Sequence, residues 1–215
     1  MRAQSTSAFW ALIAILTLLA MVASALPALA PLGPATIKDE FVVPSWEVAP
    51  YPGATPIFLN GTVEQVYAKL LEINPNYDDD WNGETMNGVV EPELETRDVD
   101  HKIECLRDIG PTQKFIKAGI RYLRKINGRP HLPAGECSRV SCSYNSAIYW
   151  CNDKDHDAYL PSFNNIADGA QVILNICFNT KNDWKRARGI LHHPVGMWRT
   201  LVYDPTWLQE EEHHC

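Results

Sequence analysis

Cysteine is missing from the first 104 positions, and nowhere in the chain do two cysteines form a C-x-x-C pair. Structural zinc loops are built on such close pairs, so a metal site made of thiolates is excluded. No second hydrophobic run follows the one at the N-terminus, which excludes a multi-span membrane protein. Basic residues are outnumbered, with Lys+Arg 19 against Asp+Glu 26 and a net charge of -7. A dedicated nucleic-acid binder needs a basic surface to neutralise phosphates, so no nucleic-acid partner is expected. Also missing are a nucleophile elbow, an H-E-x-x-H pair and a phosphate loop, the local signatures of common hydrolase and nucleotide chemistry. Apolar residues nevertheless make up 46% of the chain, more than a disordered polymer carries.

What is present begins with an address. Arg2 precedes an apolar run from Phe9 to Ala25 that ends in small residues, the pattern of a secretory signal. Ala23 and Ala25 give an A-x-A cleavage site that would leave Leu26 first; Ala28 and Ala30 repeat the pattern, but Pro31 would follow that cut. Residues 1–25 are therefore read as a signal peptide, with no stable membrane span after cleavage. A secreted, extracellular location makes the six cysteines, Cys105, Cys137, Cys142, Cys151, Cys177 and Cys215, a framework of three disulfides. Their connectivity stays open among 15 pairings. The spacing predicts no metal site, and no cofactor is expected.

Charge divides the chain where the cysteines begin. From Lys38 to Asp100 there are 14 acids and 3 bases, and from His101 to Cys215 there are 15 bases and 12 acids. Nine of the 15 prolines fall between Pro27 and Pro92. Residues 26–100 thus read as an acidic, proline-rich, loop-rich segment with one helix, and as a possible pro-region with a processing point at Arg97. The helix follows a capping-box spacing of Thr62 and Gln65, with Val63, Val66, Tyr67, Leu70 and Leu71 on one face before Pro75. Asn60-Gly61-Thr62 is an N-glycosylation acceptor. The run from Asp78 resembles a calcium loop only in part: Gly83 is in place, but position 12 is Val89 rather than a bidentate glutamate. A solvated acidic turn is the better reading.

Residues 101–215 read as a cysteine-bearing α+β domain. A helix is predicted from Pro111 and Thr112 to Asn127, with Phe115, Ile116, Ile120, Leu123 and Ile126 inward and Gly128 as its stop. Its other face carries Lys114, Lys117, Arg121, Arg124 and Lys125, either an anion-binding face or an ordinary solvated one. Alternating Val140, Cys142 and Tyr144, a turn at Asn145-Ser146, and Ala147 to Cys151 predict a hairpin. A second helix capped by Asn164 or Asn165 places Ile166, Ala170, Ile173 and Cys177 inward, and Gly169 within it implies close approach by another backbone. RGILHH and MWRTLVYD complete the set as strands. The expected fold is a small antiparallel sheet packed with two helices and stabilised by disulfides.

The string CSRVSCSYNSAIYWCND, followed by NNIADGAQVILNIC and a strand ending in MWRTLVYD, resembles small secreted cysteine-rich proteins of filamentous fungi. The order of elements over about Pro111 to Tyr203 is similar to extracellular effector domains of the necrosis-inducing kind and, more distantly, to virally encoded smut-fungus killer toxins. The resemblance implies extracellular action on a host or microbial protein or cell-surface target, and it transfers no catalytic residue. Binding would use Trp184 with Lys117, Arg121 and Arg124. Tyr149, Trp150 and Trp198 lie on strands, where large aromatics more often fill a core. The rival is a small secreted hydrolase such as a ribonuclease, with His193, Glu136 and Arg199 as acid, base and phosphate ligand.

Overall fold

The computed structural model describes residues 40–82, 102–178, 182–207 and Cys215. The expected signal peptide, Arg97 and Val89 lie outside these residues. Strands β1 (Glu40–Val42), β2 (Ser45–Val48) and β3 (Ile57–Asn60) are followed by helices α1 (Val63–Ile73) and α2 (Tyr77–Asn82). Then come β4 (Ile103–Thr112), α3 (Gln113–Lys125), β5 (Gly128–Arg129), β6 (His131–Leu132), β7 (Glu136–Ser143), β8 (Ser146–Asn152) and β9 (Ala158–Tyr159). Helix α4 (Asn164–Ile173), a π-helical turn (Leu174–Phe178), β10 (Arg186–His193), β11 (Trp198–Tyr203) and a 3-10 turn (Pro205–Trp207) complete the order. The fold is α+β, with three disulfides.

The main sheet has six strands in the order β1-β7-β8-β11-β10-β4. All pairs are antiparallel except β1 with β7, which run parallel. Strands β7 and β8 form the expected hairpin, its turn displaced by one residue. A bulge between Arg139 and Ser141 interrupts the ladder, and beyond it Ser143 pairs with Ser146, so the turn falls on Tyr144-Asn145, both left-handed at φ 47 and φ 53. Two successive positive-φ residues give the turn whose twist matches that of the strands it joins. Strand β8 is buried along its whole length.

Helices α3 and α4 pack on one sheet face, sharing a core with Ile148, Trp150, Leu191 and Val202. Helix α3 ends at Lys125, two residues short of the predicted limit, and Gly128 lies instead in β5, where its bare Cα lets Glu47 and Val48 pass. Ser162 starts α4: its hydroxyl accepts from the Asn164 N–H (2.9 Å) and its own N–H donates to Asn165 Oδ1 (3.1 Å). That reciprocal pair satisfies two N–H groups that a helix end leaves unpaired. The π-helical turn extends the buried stripe to Cys177, which bonds Cys105 on β4.

Gly169 has a tertiary reason, though the approaching group is a side chain rather than a backbone. A Cβ there would collide with Thr200 Oγ1 and meet Thr200 Cβ at 3.0 Å. Alanine normally favours a helix over glycine by about 1 kcal/mol, whereas overpacking costs about 1–3 kcal/mol. Gly169→Ala is therefore expected to lower stability by about 1 kcal/mol. Adding Thr200→Ala should recover most of that loss in urea unfolding, and a stabilised single variant would refute the clash.

The acidic segment is not the loop-rich attachment that its prolines imply. Residues 40–82 contribute three strands and two helices, and Lys38–Cys215 forms one compact unit. Trp46, Val48, Val63, Val66, Leu70 and Tyr77 are buried in the same core as the sheet and α3. Strand β2 pairs with β3 and with β5, whose residues follow α3 in the chain. The prolines flank the short strands rather than interrupt them, as a residue without an N–H requires.

Opposite charge on the two parts becomes a contact. Lys125 on α3 donates to Asp78 Oδ2 (2.7 Å) and Tyr67 Oη (2.8 Å), while the Tyr67 hydroxyl donates to Asp78 (2.7 Å). Burial alone would raise the Asp78 carboxyl, but the bonds from Lys125 and Tyr67 outweigh it and hold the pKa below the ordinary carboxylate value. Hydrogen bonds to Asp78 and Tyr67 raise Lys125. The carboxylate's contribution is present above its ordinary pKa and lost as pH falls through the lowered one. The lysine's is present below its ordinary pKa and lost as pH rises through the raised one. Both groups are more than a third exposed, so solvent screening keeps the contribution small. Asp78 lies in α2, not at the head of a calcium loop.

Candidate functional site

The first turn of α3 is capped from outside by the loop that carries Trp184. The Gln113 and Lys114 N–H groups donate to the carbonyls of Lys185 (3.0 Å) and Asp183 (2.8 Å). Asn182 fixes the loop in turn, its side chain accepting from the Trp184 N–H at 3.0 Å and its carbonyl from the Lys185 N–H at 3.0 Å. Lys117 closes the arrangement with a 2.6 Å ion pair to Asp183.

The hairpin turn reaches the same place from the other side. Thr112, just before α3, donates its N–H to Ser146 Oγ (3.0 Å). The Asn145 N–H donates to the Cys215 carbonyl (3.3 Å), and Cys215 is bonded to Cys142. Between these anchors, Tyr144 stacks on Phe115 with centroids 4.5 Å apart, and Phe115 meets Trp184 edge-on at 6.4 Å. Lys114 Nζ lies 4.9 Å above the Trp184 ring. Tyr144 is 74% exposed and Trp184 66% exposed. Three rings thus form a surface platform edged by a cation, on elements tied by backbone hydrogen bonds and a disulfide.

Fold stability gives Tyr144 little support at this position. A left-handed residue with a Cβ costs roughly 1–2 kcal/mol, and an aromatic pair returns about 0.5–1.5 kcal/mol beyond its area. The two nearly cancel, while glycine or asparagine would fit the turn without strain. A bulky exposed aromatic kept in a strained turn is the kind of outlier that marks a contact surface.

Of the residues singled out from the sequence, Trp184 and Lys117 meet in this platform, joined by Phe115, which was expected in the core, and by Tyr144, which was read only as a strand residue. Arg121 is exposed on α3. Arg124 is engaged elsewhere, in a 2.7 Å ion pair with Asp168 on α4. Tyr149 and Trp150 are fully buried, and Trp198 is partly buried with its ring 3.5 Å from that of His193. Asn60 is exposed at the end of β3.

The sheet does not gather the proposed ribonuclease residues. Glu136 lies on β7 and His193 on β10, with β8 and β11 between them. At a strand spacing of about 4.8 Å, they stand roughly 14 Å apart. Arg199 pairs with Cys151 and His192 across the sheet, so it points to the face opposite that of Trp198 and His193. Its guanidinium lies 3.2 Å from Asp153.

No protein-family model, curated protein or solved structure matches this chain. Among the described residues, no helix is long and apolar enough to cross a membrane.

Proposed function

We propose that this protein is a secreted, disulfide-braced effector or toxin-like protein that acts by binding a host or microbial cell-surface component through Tyr144, Phe115 and Trp184. The observation that carries the reading is the exposed aromatic platform itself, held on anchored backbone with one ring in a strained turn. Rigid aromatics give large contact area at small entropic cost and dominate binding where they cluster. Lys114 and Arg121 add attraction for a partner with anionic groups beside a flat apolar face. The disulfides suit an extracellular setting, where thiols remain paired.

Binding of fluorescently labelled protein to intact plant cells and to cells of a filamentous fungus tests this. Wild type should adhere to at least one of them. Tyr144→Gly combined with Trp184→Ala should reduce adhesion at least about tenfold, the scale of a lost hot spot. Because strain and stacking nearly cancel at Tyr144, and Trp184 is exposed, the variant should keep its unfolding midpoint. Equal adhesion of the two proteins, or none by wild type to either cell, would remove the proposal.

A further inference from the structure

The exposed side of β3 carries a second aromatic with a different task. Strand β3 is the edge of the three-stranded sheet. Ile57 and Leu59 are half-buried, while Phe58, 70% exposed, and Asn60 point the other way. Residues two apart on a strand share a face and lie about 7 Å from each other. Asn60 opens the acceptor Asn60-Gly61-Thr62, and Phe58 precedes it on the same face.

The turn after Asn60 is held in place. Gly61 has φ 112, which a residue with a Cβ rarely adopts. Its N–H donates to the Pro44 carbonyl (3.0 Å), and its own carbonyl accepts from Trp46 Nε1 (2.8 Å). Thr62 then caps α1. Asn60 therefore ends a fixed strand, with the exposed Phe58 ring two residues away on the same face.

We propose that Asn60 carries an N-linked glycan whose first N-acetylglucosamine stacks on Phe58. In the secretory route a lipid-pyrophosphate-linked oligosaccharide is the donor. The Asn60 amide nitrogen bonds to C1 of the first sugar, the C1–O bond to the pyrophosphate breaks, the nitrogen loses one proton, and the lipid pyrophosphate leaves. The axial C–H bonds of a pyranose face are weakly positive and meet the negative face of an aromatic ring. A lone exposed apolar residue is commonplace; the assignment rests on its sharing a face, two residues away, with an acceptor fixed by a left-handed glycine.

The test expresses the full chain, Phe58→Ala and Asn60→Gln through a eukaryotic secretory host. An endoglycosidase that leaves a single N-acetylglucosamine trims the glycan, and intact mass reads occupancy. The singly glycosylated protein should melt about 2–4 °C above Asn60→Gln, the shift given by one stacking contact in a domain of this size. In the Phe58→Ala background, the difference between glycosylated and Asn60→Gln forms should shrink to less than half. Phe58 is exposed, so the variant keeps its fold. An unoccupied Asn60, or an equal difference with and without Phe58, would overturn the proposal. Neither residue belongs to the Tyr144–Trp184 platform, so cell adhesion is expected to be unaffected by either change.

Discussion

Trp46→Ala should lower the unfolding free energy by about 3–5 kcal/mol, the range for removing a large buried aromatic. Trp46 is fully buried. Its ring lies 6.4 Å from Trp150 on β8 and 5.4 Å from Phe163 at the start of α4. Its indole N–H holds the Gly61 carbonyl. One side chain of the acidic segment thus joins the sheet, α4 and the entry to α1. Urea unfolding followed by circular dichroism should show a single transition moved to lower denaturant. An early separate transition, with the main one unmoved, would mean that residues 40–82 are a detachable cover rather than part of the folding unit.

Replacing Cys105 and Cys177 together by serine should cost about 4 kcal/mol, and replacing Cys137 and Cys151 about 3 kcal/mol. The first bridge spans 72 residues and the second 14. In the chain-entropy account, a longer closed loop restricts the unfolded chain more. Folded-state context points the same way. Cys137 and Cys151 are direct partners on hydrogen-bonded strands, whereas Cys105 and Cys177 join β4 to the turn that ends α4. Equal losses for the two pairs, or the reverse order, would show that the entropic difference does not govern here.

Local periodicity made α1, α3, α4, β10 and β11 legible, because each carries its buried face within one stretch of sequence. The number of bridges was legible once secretion was assumed, but their partners depend on how the sheet is ordered. Strands β1 to β3 were hidden because three or four residues between prolines show little alternation, and their pairing partners lie far along the chain. The turn lay one residue from its expected place because Asn145-Ser146 carries turn chemistry as well, and reading Tyr144 as a strand residue hid its role. Arg124 looked free on the helix because its partner, Asp168, is 44 residues away. Phe115 fits the inward stripe of α3 by spacing, yet it occupies the first turn, beside the hairpin tip rather than over the sheet. The platform therefore became visible only when three distant segments were brought together.

The two long bridges, Cys105–Cys177 and Cys142–Cys215, overlap along the chain. A single backbone cut anywhere between Cys105 and Cys215 therefore falls inside at least one closed loop, and the pieces stay covalently joined until they are reduced. Even a protease acting at Lys185-Arg186, beside the platform, would leave a nicked molecule of almost unchanged mass. A cut before Cys105 has no such safeguard. Residues 40–82 are retained by noncovalent contacts, among them burial, strand pairing, the Lys125–Asp78 pair and the bonds of Ser141 to Glu64 and Asn127 to Tyr77, so this protein has one portion that survives nicking as a linked whole and another that endures only while it remains folded.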